Sequence, residues 1–207
     1  MRALALLLAL ATSGCTFVGQ GEGWVRSDQL SVNDCWFGQF DLGPDFFAAV
    51  PYRDSMQIRV QAGSDLHEVS DGVAIQVNDV PAIRANDLGK ELDVGLDQKL
   101  LNEIAPGITE GAPPPVNLAL YLQFSCHNQN IVLYALEGKI KFTNLFSGDP
   151  NESVGADKLT DASFTVTVAD PRDAIPGTLT VPDEFTSVLT GQFQFHFQRG
   201  QPGQVFQ

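Results

Sequence analysis

From Val116 to Cys126 the chain alternates without a break. Val116, Leu118, Leu120, Leu122 and Phe124 fall on one side, and Asn117, Ala119, Tyr121, Gln123 and Ser125 on the other. Successive side chains of a strand point to opposite faces, so this spacing describes a strand with one face buried. It reads as a central strand, and the rest of the fold must supply it with neighbours.

Similar segments recur. Met56, Ile58 and Val60 share a face while Gln57, Arg59 and Gln61 take the other, and Val73, Ile75 and Val77 repeat the pattern. Asn128-Gln-Asn130 has the composition of a turn, and Ile131–Leu136 is apolar on both faces, as expected of a strand covered on both sides. It should pair with Val116–Cys126 as a hairpin, with further alternation resuming at Ile140 and Phe142 after Gly138. Later strands are expected at Phe164–Val168, Leu179–Val181 and Gln192–Gln198, the last with Phe193, Phe195 and Phe197 on one face and His196 on the other. Pro, Gly, Asp and Asn punctuate the intervals, as in Ser147–Asn151 and Asp170–Asp173. Short strands with regular turns predict an all-β fold, a single mostly antiparallel β-sandwich with at most one short helix. That helix is expected after Asp97, which can cap Gln98–Ile104, and a strand around Leu92, Val94 and Leu96 should precede it. Pro113-Pro114-Pro115 must lie in a connector.

The first fifteen residues carry an address rather than a fold. Arg2 precedes a short apolar run, Ala3–Ala11, which ends in the small residues Thr12-Ser13-Gly14 before Cys15. This is the layout of an export signal, too short to span a bilayer permanently. Small residues directly before a cysteine resemble the lipobox of bacterial lipoproteins, with Thr12 standing where Leu is usual. The resemblance implies that Cys15 is lipidated and becomes the mature N-terminus. Thr16, in place of an aspartate retention signal, points to the outer membrane. An ordinary cleaved signal peptide, cut after Ala11 or Ser13, is the alternative, and either reading exports the protein. The expected division is a signal peptide over 1–14, a lipidated cysteine and glycine-rich tether over 15–23, and one domain over 24–207.

Cysteine parity agrees with this reading. The chain has three cysteines. Assigning Cys15 to lipid leaves Cys35 and Cys126 as a pair in an oxidising compartment, where disulfides persist. No CxxC spacing or Cys/His cluster favours a metal or a reactive thiol. Of 207 residues, 43% are hydrophobic, with 14 Phe, enough for a sizeable core. The formal charge of -13 opposes binding to phosphate backbones and to anionic headgroups, so nucleic acid is excluded as a partner.

The most distinctive interior stretch is Asp34–Tyr52, with Trp36 beside Cys35 and aromatic bulk at Phe40, Phe46 and Phe47. It reads as a structural plug between the first strands. Trp36 and Tyr52 are the residues that could instead offer flat faces to a protein or glycan partner. Asp34-Cys-Trp36, Phe40-Asp-Leu42, Pro44–Tyr52, Gln57-Ile-Arg59, Ser70-Asp-Gly72, Ala169–Arg172 and Phe197–Gly200 together resemble a family of predicted myxobacterial lipoproteins. No activity is assigned to that family, so the resemblance implies export and a shared fold and supplies no catalytic residue.

Catalytic motifs are missing from the sequence. It contains no Gly-x-Ser-x-Gly elbow, no HExxH and no phosphate loop. His67, His127 and His196 are scattered, and His67-Glu68 with Asp65 reads as a polar turn. Asp149, Asn151, Glu152 and Asp157 supply hard oxygen atoms within one loop and form a calcium candidate, though without EF-hand spacing. The alternating phenylalanines near the C-terminus resemble an outer-membrane barrel strand, but most strands here are shorter than such barrels need. The expectation is therefore a non-catalytic, membrane-anchored binding or structural module that needs no cofactor. The alternative is a β-sandwich protein that binds or hydrolyses polysaccharide.

Overall fold

The apolar members of the alternating segments line up across neighbouring strands and make one continuous inner face. The computed structural model describes residues 21–63, 70–104, 113–127, 129, 131–175, 178 and 180–199. Within them lie β1 (Gly21–Val32), β2 (Trp36–Leu42), β3 (Phe46–Tyr52), β4 (Ser55–Ala62), β5 (Asp71–Val77), β6 (Glu91–Gly95), β7 (Val116–Leu122), β8 (Ile131–Asn144), β9 (Leu159–Ala169) and β10 (Thr186–His196). All ten join a single sheet in the order β2-β1-β10-β9-β8-β6-β7-β5-β4-β3. Every pairing is antiparallel except β6 with β7, which meet in parallel at Val94 and Val116. The fold is all-β, one large curled mixed sheet.

Register explains the core. Phe47, Val60, Val73, Leu120 and Leu133 form one buried row across β3, β4, β5, β7 and β8, and Ala49, Ile58, Ile75 and Leu118 form the next. Fully burying one Val, Leu, Ile or Phe is worth about 1.5–3 kcal/mol, so these rows supply the main driving force for the sheet. The curl follows from connectivity. Only Gly43, Pro44 and Asp45 join β2 to β3, the two ends of the strand order. Four extended steps reach at most about 14 Å, so the ends of the sheet approach one another at that point. Phe47 of β3 accordingly stacks on Phe195 of β10, with ring centroids 6.0 Å apart.

That closure corrects the expected tether. Gly21 and Gly23 are not linker but the first residues of β1, paired with Phe195 and Phe193. A Cβ on Gly21 would stand 2.7 Å from the Phe195 Cβ and 2.8 Å from the Phe47 ring, so glycine is what lets the aromatic layer close over the strand. The body therefore begins at least three residues before Trp24. Residues 1–20, including Cys15, lie outside the described residues.

Three further expectations change. Two α-helices form instead of at most one: α1 (Val80–Asn86) and α2 (Gln98–Ile104). The second is the one expected, with the Asp97 carboxylate accepting from Lys99 N at 2.5 Å. The first escapes sequence pattern because seven residues with Pro81 in the first turn show too little periodicity. It is held by the Asp79 cap on Ala82 N at 2.9 Å and by burial of Val80 and Ile83. The strand expected over Val116–Cys126 stops at Leu122, because the buried Asp71 carboxylate accepts from Phe124 N at 2.9 Å and Ser125 N at 3.1 Å and bends the chain into a turn. No strand forms at Thr180–Val181, where a local turn returns Ile175 N to Thr180 O at 2.9 Å. The hairpin itself holds, with Leu122 opposite Ile131.

Cys35 and Cys126 are bridged, with Cα atoms 5.8 Å apart. The bridge ties the β1–β2 turn to the β7–β8 turn, and Gln129 Nε2 reinforces it by donating to Asp34 O at 3.1 Å. Such a bond fits an oxidising compartment. Among the described residues no helix is long and apolar enough to cross a membrane.

Candidate functional site

The polar members of the same strands are also in register, on the outer face. Gln57, Gln76 and Asn117 make one row across β4, β5 and β7. Arg59, Ala74, Ala119 and Tyr134 make the next, and Gln61, Gly72, Tyr121 and Val132 a third. Small side chains in the middle of the second row leave a depression between longer ones. The segment that turns from β6 into α2 rises beside it, contributing Leu96, Asp97, Lys99 and Leu100. Together they enclose an open groove of about 560 Å³, within the size range of small-ligand sites.

A buried polar network supports one end of the groove. Arg59 and Gln61 sit on the face expected to be polar, yet they are only 4% and 0% exposed. Burial is tolerable because each is bonded. Gln61 Nε2 donates to Gly63 O at 2.8 Å, and its Oε1 accepts from the Tyr121 hydroxyl at 2.9 Å. Arg59 donates to Gln57 Oε1 from Nη2 at 3.0 Å and from Nε at 3.3 Å. Burial pushes the Tyr121 phenol well above its ordinary pKa, partly offset by the Arg59 charge and augmented by Asp71. Burial also lowers the Arg59 pKa.

This network orients the carboxamide row. Arg59 occupies the oxygen of Gln57, leaving its amide nitrogen without a partner among the described residues. Gln76 is held instead through its nitrogen, which donates to Val77 O at 3.3 Å. Asn117 is fixed at both ends, donating to Gly95 O at 2.9 Å and accepting from Asn78 Nδ2 at 3.0 Å. Adjacent strands thus present a donor at Gln57 and an acceptor at Gln76. Charge is sparse here: among the described residues Asp97 and Lys99 are the charged side chains that line the groove, with Arg59 beside it in the second row, in a chain whose formal charge is -13. The geometry suits hydrogen bonding to a neutral, polar molecule. Among the described residues that line it Asp97 is the one carboxylate, whereas hydrolysis of a glycosidic bond ordinarily uses a pair.

The candidates named from sequence lie elsewhere. Trp36 is half-buried at the edge of the core, its Nε1 donating to Gln39 O at 3.3 Å and its ring set edge-on to Phe40 at 5.7 Å. Tyr52 is 67% exposed in the β3–β4 turn, with the Arg53 guanidinium 5.3 Å from its ring centre. They belong to β2 and β3, the first and last strands of the sheet order. The oxygens of the calcium candidate are engaged locally. Asp149 caps Asn151 N at 2.8 Å, Glu152 accepts from Ser153 N and Val154 N at 2.8 Å, Asp157 pairs with Arg84, and Asn151 accepts from Arg199 at 3.0 Å. These oxygens serve turns and arginines rather than converging, and no group of three metal-binding side chains occurs among the described residues. His127 and His196 are exposed, and His67 with Asp65 and Glu68 lies outside the described residues.

Sequence reading passed over Gln57, Gln76, Asn117 and Tyr134 because a polar strand face ordinarily means solvent. The available signal was the run of carboxamides at matching positions in three successive strands, where Lys, Glu or Thr would have done for solvation alone. In comparisons with known proteins, no family model, no curated protein and no solved structure matches this chain.

Proposed function

We propose that this protein is an exported, membrane-anchored, non-catalytic binding module whose outer-face groove takes a neutral polyhydroxylated ligand, a glycan. The observation that carries the reading is the carboxamide row of Gln57, Gln76 and Asn117, held in fixed orientation beside Tyr134 and nearly free of charge. Preset amides exchange hydrogen bonds with hydroxyl groups at low entropic cost, and Tyr134 and Leu96 supply apolar surface for the faces of sugar rings. Anchoring rests on the leader. Acylation of Cys15 would tie the chain six residues before β1, and two lipid signals hold more firmly than one. The resemblance to predicted myxobacterial lipoproteins agrees with this placement, and the Cys35–Cys126 bridge suits it.

Two measurements test the reading. Intact mass of the protein extracted from membranes should give a chain beginning at Cys15 with added acyl mass; a lipid-free chain beginning at Thr12 or Gly14 would remove the anchor. Calorimetric titration with neutral oligosaccharides should give binding that Gln76→Ala weakens about tenfold, in keeping with loss of one well-placed polar contact. Glycan binding unaffected by changes at Gln57, Gln76 and Asn117 would place the site elsewhere.

A further inference from the structure

We infer that the groove reads an acetamido group, so that its ligand is an N-acetylated amino sugar rather than a plain hexose; this rests on the glycan reading above. A secondary amide has one acceptor and one donor pointing in opposite directions. The groove offers their complements on adjacent strands: the Gln57 nitrogen, whose oxygen is held by Arg59, and the Gln76 oxygen, whose nitrogen is held by Val77 O. A hydroxyl can also accept from one group and donate to the other, but it brings no methyl group to the surface beside them. The neighbouring row gives the third element. Ala74 and Ala119 are the smallest side chains in the groove that carry a Cβ, set between Arg59 and Tyr134, and they make a shallow apolar floor that fits a methyl group.

A peptide strand also carries amides, but its recognition runs along an unpaired strand edge at successive residues. Here β4, β5 and β7 have paired neighbours on both sides, so their backbone groups are spent on the sheet. The Gln57–Gln76 donor–acceptor pair is made by side chains instead. That matches one isolated amide on a hydroxylated ring.

The test titrates the intact mature protein with three probes: a β-1,4-linked trimer of N-acetylglucosamine, the corresponding trimer of glucose, and a blocked trialanine peptide. The N-acetylated trimer should bind at least tenfold more tightly than the glucose trimer, and the peptide should not compete. Gln57→Glu keeps an oxygen for Arg59 while removing the N–H donor, so it should abolish the preference while the β-sheet circular dichroism spectrum is retained. Gln76→Leu should do the same through loss of the acceptor. Equal affinity for the two sugars would overturn the acetamido inference and leave the glycan reading standing. Binding of neither sugar would overturn both, and preference for the peptide would replace the sugar with a polypeptide ligand.

Discussion

The Tyr121 ring crosses Gly72 so closely that a Cβ added to the glycine would stand 2.4 Å from the phenol oxygen. The two residues face one another across β5 and β7, and the crossing carries the hydroxyl to Gln61 on β4. Three strands are therefore locked beside the groove by one aromatic side chain.

Gly72→Ala should cost about 1–3 kcal/mol through overpacking, read as a lower urea midpoint. Tyr121→Phe should cost about as much by leaving the fully buried Gln61 oxygen unsatisfied. Tyr121→Leu in the Gly72→Ala background should be less than additive, because it removes the ring that the new methyl meets.

The raised pKa of Tyr121 gives stability a direction with pH. Folding favours the neutral phenol, so this contribution is complete below about pH 10, the ordinary tyrosine value, and is lost progressively as pH rises beyond it. Ultraviolet titration should find one of the three tyrosines ionising only as the chain unfolds. In Tyr121→Phe the alkaline fall in stability should be shallower.

Breaking the Cys35–Cys126 bridge frees a loop with a sequence separation of 91. The chain-entropy relation values such a closure at about 4–5 kcal/mol. Cys35→Ser with Cys126→Ser should lower the unfolding free energy by that order in denaturant titration.

Calcium should leave the melting temperature unchanged, in millimolar excess or after chelation. The oxygens of Asp149, Asn151, Glu152 and Asp157 already accept from backbone amides or from Arg84 and Arg199. A calcium-dependent rise in Tm that disappears in Asp149→Ala would contradict this.

The inner face was legible because burial follows period-two alternation: Met56, Ile58 and Val60, Val73, Ile75 and Val77, and Phe193 and Phe195 all lie in the core. The outer face was not. Arg59 pins Gln57 from two positions along the same strand, but that these polar side chains border a groove depends on cross-strand register and on the wall contributed from β6 onward. Arg59 and Gln61 were misread for the same reason: their burial depends on Tyr121, sixty positions from Gln61 in sequence. Gly21 and Gly23 looked like tether because glycine signals flexibility locally, whereas here it makes room for Phe193 and Phe195. The alternation at Phe124 was overruled by one distant carboxylate, Asp71.

The most direct test of the groove is to follow backbone and side-chain amide resonances by NMR while a neutral N-acetylated oligosaccharide is added to the isotopically labelled mature protein. The Gln57, Gln76 and Asn117 side-chain amide signals should shift together and saturably, while the backbone amides of Phe37 and Phe124, both exposed at the disulfide end, stay unaffected. Shifts confined to those exposed phenylalanines, or none at saturating sugar, would contradict it.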